Sequence, residues 1–330
     1  MMEHRHGKLG LSDEVALEMY EKMLLTRRLD ERLWLLNRSG KIPFVISGQG
    51  QEGAQIGAAF ALDRTKDYCL PYYRDLGVVL SFGMTAKDVM LASFGKAEDP
   101  NSGGKQMPNH FSQRKNRIVT GSSPVTTQVL HAVGFALAAK MEKKDFVSFV
   151  TLGEGSSNQG DFHEGLNFAG VHHLPVIIMV ENNKYAISVP LSKQLAGGSV
   201  AKRAEGYGIP GVTVDGNDVL EVYRVMKEAA DRARRGEGPT LIEAITNRFT
   251  AHSSDDDDRA YRDRKEVDEA KQKDPLLLFE TYLTDAGILD DKKMEEISAK
   301  VSDIVNEATD YAEKAPYPKP EDALKYVYKE

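Results

Sequence analysis

The chain has 330 residues, with 43 Lys plus Arg against 50 Asp plus Glu, and the net charge of −7 gives no sign of a nucleic-acid or anionic-membrane binder. Hydrophobic residues at 41% and charged residues at 28% exclude a wholly disordered chain, and at roughly 150 residues per domain the length suggests about two domains, or one large α/β domain with extensions. The single cysteine, Cys69, excludes an intramolecular disulfide framework and a cysteine-built metal site, which fits a reducing cytoplasm, the expected location. No apolar run approaches the roughly 20 residues of a membrane helix, and MMEHRHGKLGLSDE is too polar for a secretory signal.

In chain order, Ser12 to Asn37 reads as an amphipathic helix, with Ser12 as N-cap and Met19, Met23, Leu24 and Leu29 at helical spacing. From about Phe44 to Thr246, short apolar runs alternate with helical patterns. Phe146 to Leu152, Val176 to Val180, Gly211 to Val214 and Thr240 to Ile245 read as buried strands. Gln128 to Lys143, Asp161 to His172 and Val219 to Arg235 read as helices. Strand, helix, strand at this spacing predicts parallel βαβ units and a three-layer α/β/α sheet, whose ligands sit at the carboxyl ends of the strands. From about Asp255 the chain is charge-rich and helical, and its tail PYPKPEDALKYVY reads as an extended arm that packs on another chain. The expected division is an N-terminal helical extension (1–43), a diphosphate-binding α/β domain (44–254) and a C-terminal helical extension and tail (255–330).

The loop after Leu152 carries Gly153-Glu154-Gly155-Ser156, then Asp161 to Glu164 as a variant capping box opening a helix. Glycines let backbone approach a ligand closely, and a helix N-terminus offers free N–H groups to an anion such as a diphosphate. A carboxylate beside a phosphate is repulsive unless a cation intervenes, so Glu154 points to Mg²⁺. After the next strand comes Glu181-Asn182-Asn183-Lys184-Tyr185. Between Gly155 and Asn182 lie 26 residues (156 to 181), room for one helix and one strand, so both loops emerge at one sheet edge. An octahedral Mg²⁺ could then take Glu154, the Asn183 side-chain oxygen and a backbone carbonyl near Tyr185.

GEG, 26 residues and NN, with the flanking GDFHEGLNFAG and NNKYAIS, resemble the thiamine diphosphate signature, Glu154 standing where many members have Asp. Over most of its length the chain is similar to alpha subunits of the 2-oxo acid dehydrogenase first component, a thiamine-dependent decarboxylase. The segments GKIPFVISGQGQEGAQIGAAFALD, LPYYRD, VTGSSPVTTQ and RFTAHSSDDDD resemble the branched-chain members of bacilli.

The resemblance implies that Tyr73 and Arg74 contact the cofactor, that Gly155 and Ser156 supply loop contacts, and that His252 reaches the phosphate and the reaction centre. It places Ser123 and the Val125 backbone near the aminopyrimidine, and a structural K⁺ at Ser122, Ser123, Pro124, Thr127 and Gln128. It assigns Phe44, Tyr72 and Tyr73 to the substrate pocket and Asp256, Tyr261 and Arg262 to contact with the lipoyl domain. Ser253 matches a regulatory phosphoserine of mitochondrial relatives. His163, His172 and His173 read as plain helix residues. In the family the cofactor supplies a carbon nucleophile and an electron sink for loss of CO₂, and the Glu that activates it comes from a pyrimidine-binding domain. That domain is not found here. The resemblance therefore implies a beta subunit, an α₂β₂ assembly with the cofactor between subunits, and an acyltransferase core carrying lipoyl groups.

Some relatives place an Arg just before the Asn pair as a phosphate contact, where this chain has Glu181. Diphosphate binding then leans on Arg74, His252, the helix N-terminus and Mg²⁺. Two readings compete with a branched-chain 2-oxo acid dehydrogenase: a pyruvate or acetoin dehydrogenase alpha subunit, and a non-catalytic nucleotide-binding module.

Overall fold

The computed structural model of the protein describes residues 4–325. Its strands are β1 (Tyr68–Leu70), β2 (Ser148–Gly153), β3 (Val176–Asn182), β4 (Tyr185–Ala186), β5 (Val189–Pro190), β6 (Gly211–Asp215) and β7 (Thr240–Ile245). Five of them form a parallel sheet in the order β1-β2-β3-β7-β6, while β4 and β5 make a separate short antiparallel hairpin.

The apolar run of β3 shows why the fold has three layers. Successive side chains of a strand point to opposite faces. Ile177 and Met179 join a core with Met19, Val222 and Met226; Val176, Ile178 and Val180 join a second with Val129, Phe162 and Leu166. Helices Asp13–Arg38, Glu52–Phe60 and Val219–Arg234 cover the first face, and Thr127–Glu142 and Gly160–Val171 cover the other. The expected three-layer α/β/α arrangement with a parallel sheet is what forms.

Helices Arg264–Lys271, Pro275–Asp285 and Asp291–Lys314 account for the charge-rich end. Leu276, Phe279, Val301 and Val305 lie in the same core as Met19 and Met23 of the first long helix. A buried ion triad ties these parts together: Arg27 reaches Glu52 at 2.6 Å and Asp274 at 2.7 Å.

Ser12 does cap its helix, accepting the Val15 N–H at 3.4 Å. The capping box at Asp161 does not form. The helix begins one residue earlier, at Gly160, because a single 3-10 turn over Ser156–Asn158 leads into it through an extended Gln159, with no side-chain cap. Asp161 keeps only a favourable place in the first turn. His172 and His173 are likewise not helical. The helix stops at Val171, His172 follows as its C-cap, and His173 takes a left-handed φ of 47°. Strand β1, the hairpin and the helices Glu52–Phe60, Leu76–Ser81 and Ala86–Ser93 have no counterpart in the sequence reading, since strands of two or three residues carry no measurable periodicity.

The tail begins by folding back on its own chain. The Pro316 carbonyl accepts the Ala97 N–H at 3.0 Å, and Lys96 Nζ sits 3.7 Å above the Tyr317 ring. Its final aromatic residues fall in 326–330, outside the described residues. Among the described residues no helix is long and apolar enough to cross a membrane.

Removing one member of a buried pair strands the remaining charges. Arg27→Ala is expected to lower unfolding free energy by about 3–5 kcal/mol. Urea denaturation checks this, and a loss under about 0.5 kcal/mol, the size of an ordinary surface change, would show the triad to be solvent-screened.

Candidate active site

The parallel register aligns Gly153 with Glu181 and Asn182 with Ile245, so the β2 and β3 loops leave from one sheet edge. Gly155 is required by packing: a Cβ there would lie 2.5 Å from the Ala186 Cβ, so the β4-β5 hairpin can sit on the loop only above a glycine. A Cβ at Gly153 would meet nothing within 4 Å, leaving open space beside the edge.

Glu154 is 2% exposed, and its carboxylate receives one long bond from Gln194 Nε2 at 3.3 Å and the Asn183 backbone amide. Burial raises its pKa above the usual carboxylate range. No cationic side chain pairs with it among the described residues. The two asparagines divide their work. Asn182 is locked by its Nδ2 donating to Glu243 at 2.8 Å, while Asn183 Oδ1 accepts only the Tyr185 N–H at 3.3 Å. Among the described residues no three His, Cys, Asp or Glu side chains gather as a metal cluster. A cation at this edge would rest on Glu154 and neutral oxygens.

Arg74 and His252, far apart in sequence, meet directly. Arg74 Nη2 donates to His252 Nδ1 at 2.9 Å and to the His252 carbonyl at 2.8 Å; Nη1 donates to the Ser47 carbonyl at 2.7 Å. Because an arginine can only donate, His252 Nδ1 must accept, and the neutral ring carries its proton on Nε2. Burial, then the charges of Arg74 and Arg248, push the His252 pKa down to about 4. Tyr73 packs edge-on to His252, ring centres 6.1 Å apart. The Ser47 carbonyl is itself held in place: Asp30 accepts Ser47 Oγ and Gly48 N, each at 2.7 Å, and Gln49 Nε2 at 2.9 Å.

Arg248, which the sequence reading did not single out, stands between the two halves. It is 2% exposed, and its charge acts on both Glu154 and His252. It donates to the Ile187 carbonyl at 3.1 Å and to Tyr261 Oη at 2.9 Å, while its buried Nη1 has no partner among the described residues.

Glu181 does not face the open edge. It is fully buried, takes bonds from Gln55 Nε2 at 3.2 Å and Tyr72 Oη at 3.3 Å, and is hydrogen-bonded to Asp75. Burial raises Asp75 to about 7 and Glu181 well above the carboxylate range, its second cause being the Asp75 charge. Two carboxyls this close share one proton, Glu181 holding it and Asp75 accepting. Tyr72 is consequently turned inward, its hydroxyl also bound to Gln51 at 2.9 Å. Tyr73 and Phe44 stay half-buried.

In the 121–128 loop, Ser123 is exposed and its Oγ meets His110 Nε2 at 2.5 Å; Ser122, Val125 and Thr127 are half-buried and Pro124 exposed. Thr126, at φ 84°, ties this loop to the Ser156 carbonyl at 2.8 Å. Gln128 donates to the Thr151 carbonyl at 3.2 Å, and its buried Oε1 has no donor among the described residues. In the acidic loop, Asp256 accepts the His252 N–H at 2.8 Å and the Tyr261 hydroxyl. Arg262 is buried and donates to the Arg248 carbonyl at 2.5 Å, the Thr250 carbonyl at 3.0 Å and Asp258. Ser253 is buried too.

Residues 20–321 match the family described as Dehydrogenase E1 component. The chain belongs to that family. A Bacillus subtilis (strain 168) protein named 2-oxoisovalerate dehydrogenase subunit alpha is 68% identical over 328 residues, 99% of each chain. A Mycobacterium tuberculosis (strain ATCC 25618 / H37Rv) protein named 3-methyl-2-oxobutanoate dehydrogenase subunit alpha is 42% identical, covering 93% of this chain and 80% of its own. A Staphylococcus aureus (strain N315) protein named pyruvate dehydrogenase E1 component subunit alpha is 40% identical, covering 87% and 75%.

The Asp75–Glu181 pair sets a pH dependence. Both groups bind protons more tightly folded than unfolded, so the stabilisation is complete below about pH 4 and is lost as pH rises through the raised values. Urea midpoints of this dehydrogenase subunit between about pH 5 and 8 are expected to fall less steeply in Asp75→Asn than in the wild type. Parallel curves would show that the pair does not share a proton.

Proposed function

We propose that this chain is the alpha half of a thiamine diphosphate-dependent 2-oxo acid dehydrogenase first component acting on branched-chain 2-oxo acids such as 3-methyl-2-oxobutanoate. The observation that carries the reading is the pairing of opposite unmet needs at one sheet edge. Glu154 is a buried carboxylate without a paired cation, and Arg248, a buried arginine whose Nη1 lacks an acceptor among the described residues, acts by its charge on both Glu154 and the Arg74-held His252. A diphosphate with Mg²⁺ satisfies both sides. Glu154, the Asn183 Oδ1 and the Tyr185 carbonyl would hold the metal, and Arg74, His252, Gly155 and Ser156 the diphosphate. The orphaned Gln128 Oε1 fits a K⁺ held with Ser122, Ser123, Pro124 and Thr127.

When bound, the cofactor supplies a carbon nucleophile and the electron sink for loss of CO₂. His252 is suited to donate a hydrogen bond from Nε2–H at the reacting centre, because Arg74 occupies Nδ1 and burial keeps the ring neutral. Tyr73 walls the ring on one side. Phe44 and Tyr73 line the substrate side, with the inward-turned Tyr72 packed behind Tyr73 rather than in the pocket wall, and each buried methylene there is worth about 0.8 kcal/mol. Such a wall discriminates about 10- to 200-fold, so shorter 2-oxo acids remain poor substrates rather than being excluded.

The activating Glu is expected from a beta subunit, and exposed Leu130, Phe168 and Val171 on the outer helices offer that subunit an apolar face. Asp256 Oδ2, the Tyr261 hydroxyl and the Arg262 Nη groups hold the loop's own shape, so a lipoyl domain would meet a preformed surface. A cytoplasmic multienzyme complex with a lipoyl acyltransferase core completes the reading. Substrate class is favoured by the 68% relative over the 40% one, whose name specifies pyruvate.

Calorimetry on the assembly with its beta chain tests the site. Glu154→Ala and Asn183→Ala are expected to abolish Mg²⁺-dependent binding of thiamine diphosphate, and undiminished affinity in both would remove the metal site. Turnover by the same assembly should favour 3-methyl-2-oxobutanoate over pyruvate. A large preference for pyruvate would replace the substrate assignment.

A further inference from the structure

We infer that Arg248 is a direct diphosphate ligand, supplying the positive charge that Glu181 does not. The inference rests on the cofactor reading above and adds a residue to it. An arginine buried to 2% exposure needs all five N–H groups answered and its charge compensated. Arg248 meets neither condition. Nε reaches the Thr250 carbonyl at a long 3.3 Å, Nη2 bonds two neutral oxygens, and Nη1 is buried without an acceptor. Among the described residues no carboxylate lies within ion-pair distance of it. Asp256, which attracts it from further away, is already bound to the His252 amide and the Tyr261 hydroxyl.

Its neighbours sharpen the conclusion. Arg74 and Arg262 add like charge, and with burial they lower its affinity for its own proton. A buried, unpaired cation beside two others is strongly destabilised unless an anion arrives. Its position suits that anion. Nη2 touches the Ile187 carbonyl of the hairpin turn, the guanidinium lies 5.9 Å from the Tyr185 ring, and its charge acts on Glu154. Arg248 therefore borders the expected metal side, whereas Arg74 holds the His252 side. A diphosphate lying between them would be gripped from both ends, with planar, fork-shaped donors matched to phosphate oxygens.

The same side chain also staples the acidic loop through Tyr261, so the test must separate the two roles. In the assembly with the beta chain, calorimetry measures Mg²⁺ with thiamine diphosphate and Mg²⁺ with inorganic diphosphate for Arg248→Met, Arg248→Lys, Tyr261→Phe and Glu154→Ala. Loss of a charge-assisted contact predicts roughly 10- to 100-fold weaker binding of both ligands by Arg248→Met. Arg248→Lys, which keeps the charge but not the fork, should fall between, and carries the test if Arg248→Met does not assemble. Tyr261→Phe, which breaks the staple and spares the charge, should stay within about twofold, the scatter of a neutral change. Equal losses in Tyr261→Phe and Arg248→Met, or undiminished affinity in both Arg248 variants, would overturn the assignment. If Glu154→Ala also bound normally, the cofactor reading itself would fail, which distinguishes the two.

Discussion

Everything at this site depends on the in-register parallel pairing of β2 with β3. Parallel strands need a crossover helix, and here Gly160–Val171 supplies it, returning the chain so that Gly153 and Glu181 stand side by side. A slip of one residue would exchange the two faces of β3, turning Ile177 and Met179 away from their core. The two hydrophobic layers therefore fix the register, and the register delivers Glu154 and Asn183 to one edge. Gly155 then lets the hairpin after β3 settle against the loop after β2, closing the edge beside Glu154.

The cationic side is positioned by a relay of buried hydrogen bonds rather than by strands. Asp30, on the first long helix, gathers three donors of the 47–49 turn; the Ser47 carbonyl in that turn orients Arg74; and Arg74 fixes the tautomer of His252. Burial raises Asp30 to about 6, so at neutral pH it is an ionised acceptor with its donors in place. The helix that the sequence presents as an N-terminal extension thus supports Arg74 and His252. The same helix carries Arg27, whose ion triad reaches the C-terminal helices.

Glu181 illustrates how a change of residue type is absorbed. Read along the chain, a carboxylate beside the Asn pair threatens a phosphate site with repulsion. In the fold it turns under the sheet edge, is kept neutral by burial and by Asp75, and accepts from Tyr72 and from Gln55, which in turn holds the Arg74 carbonyl. On the proposed reading, positive charge for the cofactor would come from Arg74 and from Arg248, which follows β7 by three residues.

Composition and periodicity by themselves determined the layer order, the parallel sheet and the loops that matter, because a strand buried on both faces must be apolar throughout and a ligand loop must carry glycine and carboxylate. The GEG and NN spacing, with the wider resemblance, was legible for the same reason. Hidden from the sequence were contacts between residues distant in the chain: Arg74 on His252, Asp30 under Ser47, Asp75 against Glu181, and the unpaired Arg248. Charges and hydrogen bonds have no periodicity along a chain. Only tertiary structure decides which of them are buried together, and burial is what turns an ordinary arginine or glutamate into part of a site.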